Sequence, residues 1–148
     1  MSDEDILKNP LSLFDVRGKT AIITGATGAF GALAAQVLAG AGCNLVLSAG
    51  CAEALKKIVM DCEQRGAKVE AVNVRPTTAA VCDKIVEAAV KRFGGVDILV
   101  CAAGINKVQK IVDQAPEAFS EVMDVNVTQS WLMARAAGKQ MLSQGRGG

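Results

Sequence analysis

At 148 residues, 51% of them hydrophobic, the chain is long enough for one domain with its own core and too apolar to stay disordered as a whole. Sixteen basic and fifteen acidic residues leave a formal net charge of +1, and with four Phe, one Trp and no Tyr there is neither a basic block nor a set of aromatic platforms to grip nucleic acid. The acidic, polar start at residues 1–5 lacks the basic and then apolar segments of a signal peptide, and no apolar run approaches a membrane span; the expectation is a cytoplasmic protein with a small-molecule partner.

In chain order, residues 1–17 are expected to form an N-terminal arm, in which Leu11-Ser12-Leu13-Phe14 tucks against the sheet before Gly18-Lys19 turns into the first strand. The apolar run Thr20-Ala21-Ile22-Ile23 reads as that strand. It leads into Thr24-Gly25-Ala26-Thr27-Gly28-Ala29-Phe30-Gly31 and then into the nearly chargeless helical stretch 32–41. Strand, glycine-rich turn and helix in that order make the dinucleotide-binding fingerprint. Gly25 can turn at positive φ, Gly28 can approach a pyrophosphate without a Cβ, and Gly31 can let the helix pack closely on the sheet. The helix N-terminus offers free N–H groups and the positive end of a dipole.

The first helix is expected to stop at the glycines of 40–42, and Asn44-Leu45-Val46-Leu47 reads as a short buried strand. Residues 52–65 carry Leu55, Ile58, Val59 and Cys62 at helical spacing, with Lys56, Lys57, Asp61 and Glu63 left for solvent and Gly66 as the stop. Residues 68–74 alternate like a strand. Thr77 or Thr78 can cap a third helix whose stripe is Val81, Ile85, Val86, Ala89 and Val90, closed by Gly94-Gly95. Val96-Asp97-Ile98-Leu99-Val100 reads as a fourth strand.

This alternation predicts an α/β fold of Rossmann type, a doubly wound parallel sheet of strand order 3-2-1-4 over residues 18–148. The ligand crevice then lies outside the carboxyl ends of the strands, where the chain places the glycine loop, Ser48-Ala49-Gly50-Cys51, Asn73-Val74 and Cys101-Ala102-Ala103-Gly104. Cys43, Cys51, Cys62, Cys82 and Cys101 are spread without a C-x-x-C pair and no His is present, which predicts reduced apolar fillers and no metal site. The glycine loop also has no P-loop lysine, so a mononucleotide-binding or flavodoxin-like domain is the weaker alternative.

Gly18-Lys19-Thr20-Ala21-Ile22-Ile23-Thr24-Gly25, the glycine loop, Asp97-Ile98-Leu99-Val100-Cys101-Ala102-Ala103-Gly104 and Met123-Asp124-Val125-Asn126-Val127 together resemble the short-chain dehydrogenase/reductase family, from about residue 14 to the end. Residues 13–19 are similar to members acting on gluconate-type sugar acids. The resemblance implies NAD or NADP as cofactor, an alcohol or carbonyl substrate, hydride transfer and a dimer or tetramer. It implies cofactor contacts at Gly25, Thr27, Gly28, Ala29, Phe30, Gly31, Ala49, Gly50, Asn73, Val74, Cys101, Ala102, Ala103 and Gly104. It gives Asn126, between helices expected at 116–125 and 127–142, a part in proton relay through a helix distortion, and puts Trp131, Leu132 and Met133 on a helix that packs across a dimer interface, with core packing as the equal alternative for each.

The chain also departs from the family pattern. Ala29 stands where the commonest loop has its second glycine, Cys101 and Ala102 replace two asparagines, and Asn73 replaces an aspartate. Ala49 and Gly50 occupy the positions where an acid would bind a ribose 2′-hydroxyl or an arginine a 2′-phosphate, so little discrimination between NAD and NADP is expected from them; Lys56 and Lys57 are read as a solvated helix face. The family's serine and tyrosine-x-x-x-lysine lie beyond the stretch that the motifs cover, and the chain holds no tyrosine. Two functions follow as expectations: the cofactor-binding part of an oxidoreductase, or an inactive dinucleotide-binding or subunit-interaction module.

Overall fold

The computed structural model describes residues 7–147. Four strands, β1 (Thr20–Thr24), β2 (Asn44–Ser48), β3 (Val69–Val72) and β4 (Ile98–Cys101), form one parallel sheet in the order β3-β2-β1-β4, the order expected. Thr24 pairs with Ser48 and with Cys101, and Ser48 with Val72, so the carboxyl ends of all four strands finish in one row.

The sheet is covered on both faces, which is why its central strands read as unbroken apolar runs rather than as alternation. Ala21, Ile23, Leu45 and Leu47 face α1 (Ala29–Gly40) and α2 (Ala52–Gln64). Ile22 and Val46 face α3 (Ala79–Phe93) and α5 (Gln129–Gln144). Ala35 and Ala39, both buried, let the chargeless α1 lie close on β1 and β2. In α3 the buried stripe is Cys82, Ile85, Val86 and Ala89; Val90 sits at the rim and Cys82 takes the deep position.

Local chemistry fixes the helix ends. The hydroxyl of Thr78 accepts a hydrogen bond from the Val81 amide, Lys91 and Arg92 face the negative end of the α3 dipole, and Gly94 closes the helix at φ +83°. Gly42 and Gly66 likewise turn the chain at positive φ after α1 and α2. Asp61, expected in solvent, accepts from the Gln36 side chain at 2.7 Å and so ties α2 to α1.

Two sequence expectations are corrected here. Leu11-Ser12-Leu13-Phe14 forms a 3₁₀ turn, Pro10–Phe14, but Leu11 is 75% and Phe14 79% exposed, so this turn does not tuck against the sheet. Val16 makes the core contact instead, and Gly18 is held by its amide on the Gly42 carbonyl. Of the arm, residues 1–6 lie outside the described residues. The fourth strand begins at Ile98: the Asp97 amide still donates to the Thr20 carbonyl, but the Thr20 amide is taken by the Asp97 carboxylate at 2.9 Å in place of a strand carbonyl, and that carboxylate pairs with Arg146 at 3.3 Å. Among the described residues no helix is long and apolar enough to cross a membrane.

Candidate functional site

The row of strand ends supports a cleft with a cavity volume of about 340 Å³. Backbone bonds tie its walls together: the Ala26 amide donates to the Ser48 carbonyl, the Ala102 amide to the Thr24 carbonyl, and the Ser48 hydroxyl to the Val74 carbonyl at 2.8 Å. Gly25, at φ +65°, packs so closely on the loop after β4 that a Cβ there would stand 2.5 Å from the Ala103 nitrogen. Gly31 is buried beneath the same turn, and a Cβ on it would strike the Gly25 carbonyl. Gly28 caps α1 with no side-chain acceptor, so the amides of the first helical turn are left for a ligand.

Of the residues singled out from sequence, Gly25, Thr27, Gly28, Ala49, Gly50, Val74, Ala102, Ala103 and Gly104 line this one cleft. The others stand around it. Ala29 opens α1, Phe30 is 84% exposed on its outer side, and Gly31 works from below as a packing position. Asn73 donates from its side chain to the Ala49 carbonyl at 2.7 Å and so braces the turn after β3 against the end of β2. Cys101 ends β4 with its sulfur 4.0 Å from the Ser130 carbonyl.

Asn126 lies in a π-helical turn, Asp124–Thr128, that joins α4 (Pro116–Met123) to α5 in one continuous helical run. The wider turn aims its amide at the loop after β4, where it accepts from the Ile105 amide at 2.8 Å and donates to the Ile105 carbonyl at 2.9 Å. Gly104 leaves the room for this: a Cβ there would come 3.2 Å from the Asn126 oxygen. Replacing Asn126 by Ala is expected to destabilise the protein by about 1–2 kcal/mol, two ordinary hydrogen bonds, and to speed exchange of the Ile105 amide. Unchanged exchange at that amide would show that the clamp does not hold the loop.

Ser48 and Cys51, which sequence placed at the crevice with Ala49 and Gly50, line the cleft as well, and its further walls, Arg75, Pro76, Thr77, Ile105, Glu121, Val125 and Gln129, were not assigned to it from sequence. Arg75 and Glu121 carried no local signal, because their approach to the cleft comes from the packing of one loop or helix beside another. Glu121 pairs with the Lys107 ammonium across the cleft rim. Lys56 and Lys57 are exposed on α2 and do not line the cleft.

All five cysteines are free thiols. Burial pushes the thiols of Cys43, Cys62 and Cys82 up, that of Cys62 to about 11, which leaves them protonated at neutral pH. Cys51 and Cys101 are exposed, and of the two only Cys51 lines the cleft. Among the described residues no group of three His, Cys, Asp or Glu side chains could hold a metal ion.

A family model described as short chain dehydrogenase matches residues 19–148. An uncharacterized oxidoreductase of Mycobacterium tuberculosis is 43% identical over 138 residues, covering 93% of this chain and 50% of the relative. The crystal structure of a short-chain type dehydrogenase/reductase from Mycobacterium marinum superposes with a TM-score of 0.88 at 36% identity, over 93% of this chain and 56% of that one. An NAD+-bound xylitol dehydrogenase gives 0.86 at 28% identity, over 89% and 51%. The chain thus spans about half the length of the relatives it matches.

Proposed function

The chain belongs to the short chain dehydrogenase family, and from that premise we propose that its cleft receives a nicotinamide dinucleotide, NAD or NADP. The chain is then the cofactor-binding part of an oxidoreductase that moves a hydride between nicotinamide and a small alcohol or carbonyl compound. What carries the proposal is the meeting of a glycine turn, an uncapped helix start and three further strand-end loops in one cleft. The residues fit such a ligand, because Gly25 and Gly28 line the cleft without side chains and the start of α1 has no side-chain cap, so its first-turn amides are open to a phosphate.

Gly28 and the first-turn amides of α1 would hold the pyrophosphate, and Val74 with Ala49 would flank the adenosine end. Ala102, Ala103 and Gly104 would border the path toward the reacting ring, with Asn126 fixing their loop through Ile105 and keeping the relay position that the resemblance implies. The bound nicotinamide supplies the hydride chemistry; the chain's part is binding and orientation. The opening residues 13–19 and the likeness to a xylitol dehydrogenase favour a polyol or sugar acid as substrate. Free thiols suit the reducing cytoplasm, and a homo-oligomer is the assembly that the family resemblance implies, with Trp131 exposed on α5.

Cysteine footprinting tests the site. Burial also pushes the Cys101 thiol up, so alkylation at mildly alkaline pH is expected to label Cys51 ahead of the other four thiols, and saturating dinucleotide is expected to protect it. Equal labelling of Cys51 with and without the nucleotide would place the ligand elsewhere.

A further inference from the structure

We propose that Arg75 selects NADP over NAD by pairing with the 2′-phosphate, a role reached through its crossing of Gly50; this rests on the dinucleotide reading of the cleft. The end of β2, where family resemblance and the general rule for this fold look for the sorting residue, carries only Ala49 and Gly50. The charge arrives from the next loop. A Cβ on Gly50 would stand 3.1 Å from Cγ and 3.2 Å from Cδ of Arg75, and closer still to its Nε, so the arginine stem lies flat over the glycine. Glycine here is thus the opening through which a cation from the β3 loop reaches the β2 corner.

The backbone that carries Arg75 is fixed. The Thr77 amide donates to the Arg75 carbonyl at 2.8 Å, Pro76 is buried, and the Val74 carbonyl accepts the Ser48 hydroxyl. The guanidinium is also unspent. Arg17, Arg65, Arg92 and Arg146 each pair with a carboxylate, whereas among the described residues Arg75 and Arg135 do not, and of these two only Arg75 lines the cleft. A planar guanidinium presents a fork of donors that matches a phosphate monoester. NAD carries only a hydroxyl at that position and gains far less from it.

Titration of the chain with NADP+ and with NAD+ at one ionic strength tests this. The unaltered protein is expected to bind NADP+ at least about tenfold more tightly, and Arg75→Gln to remove most of that preference while moving NAD+ affinity by less than about threefold. Gly50→Val, which keeps the charge but evicts the stem, is expected to lose the preference as well. Arg75→Gln leaving NADP+ affinity unchanged would overturn the proposal, as would a preference of the unaltered protein for NAD+. An equal loss for both nucleotides would overturn it too, and would make Arg75 a stacking partner of the adenine. If neither nucleotide binds the folded, unaltered protein, the dinucleotide reading itself fails, a result distinct from any of these.

Discussion

Gly25→Val is expected to lower stability by about 3–5 kcal/mol and to drop the unfolding midpoint by roughly 10 °C. Two penalties combine. The φ of +65° is a region where a β-branched residue is strained, and the added Cβ would stand 2.5 to 2.7 Å from backbone atoms of Ala102 and Ala103, which no rotamer can relieve. The loop after β4 must move, or the glycine turn must open. Against a typical total of about 5–15 kcal/mol this is a large fraction, and denaturant unfolding would read it directly. Gly28→Ala is the contrast: its φ is −78°, the nearest neighbour of the new Cβ is the Gly25 carbonyl oxygen at 3.3 Å, and the loss expected is about 1 kcal/mol or less. A Gly25→Val protein as stable as Gly28→Ala would show that the turn and the β4 loop are not packed as described.

The second large effect concerns turnover. The 148-residue chain, which holds neither tyrosine nor histidine, is expected to bind cofactor yet to oxidise or reduce an alcohol or ketone at least about 10²–10⁴-fold more slowly than a family member with its tyrosine. The phenol is the group that exchanges a proton with the substrate oxygen. Glu121, the carboxylate in the cleft wall, is already engaged with the Lys107 ammonium. Nicotinamide absorbance during incubation with a panel of polyols and sugar acids measures this, and sedimentation of the same sample is expected to show the association that the family resemblance implies, with Trp131 exposed on α5. Turnover at the rate of a tyrosine-bearing member, by a monomer, would contradict both expectations.

What sequence made legible was what depends on neighbours along the chain. The β1 strand, the glycine turn and α1 declare themselves in consecutive residues, and apolar spacing marks α2 and α3 because burial selects one face of a helix. Strand order followed because alternating strands and helices leave few chiral solutions. The misses are contacts between segments far apart in sequence. Nothing near Leu11 or Phe14 says that no apolar surface waits to receive them, and nothing near Asp97 says that its carboxylate is drawn to the Thr20 amide. Ala49 and Gly50 looked like an uncharged corner, yet Arg75 crosses Gly50 only once β2 and β3 lie side by side. Asn126 and a helix distortion at it were expected from the motif, while its grip on Ile105 shows only where the π turn meets the loop after β4.

Calorimetric titration of the folded chain with NADP+ and NAD+, repeated on Gly28→Ala, tests the central claim most directly. Saturable one-to-one binding is expected, weakened by at least about tenfold in Gly28→Ala at nearly unchanged stability, because under the proposed reading the new methyl group would crowd the turn that receives the pyrophosphate. No binding of either nucleotide by the unaltered protein, or equal affinity in the two proteins, would contradict it.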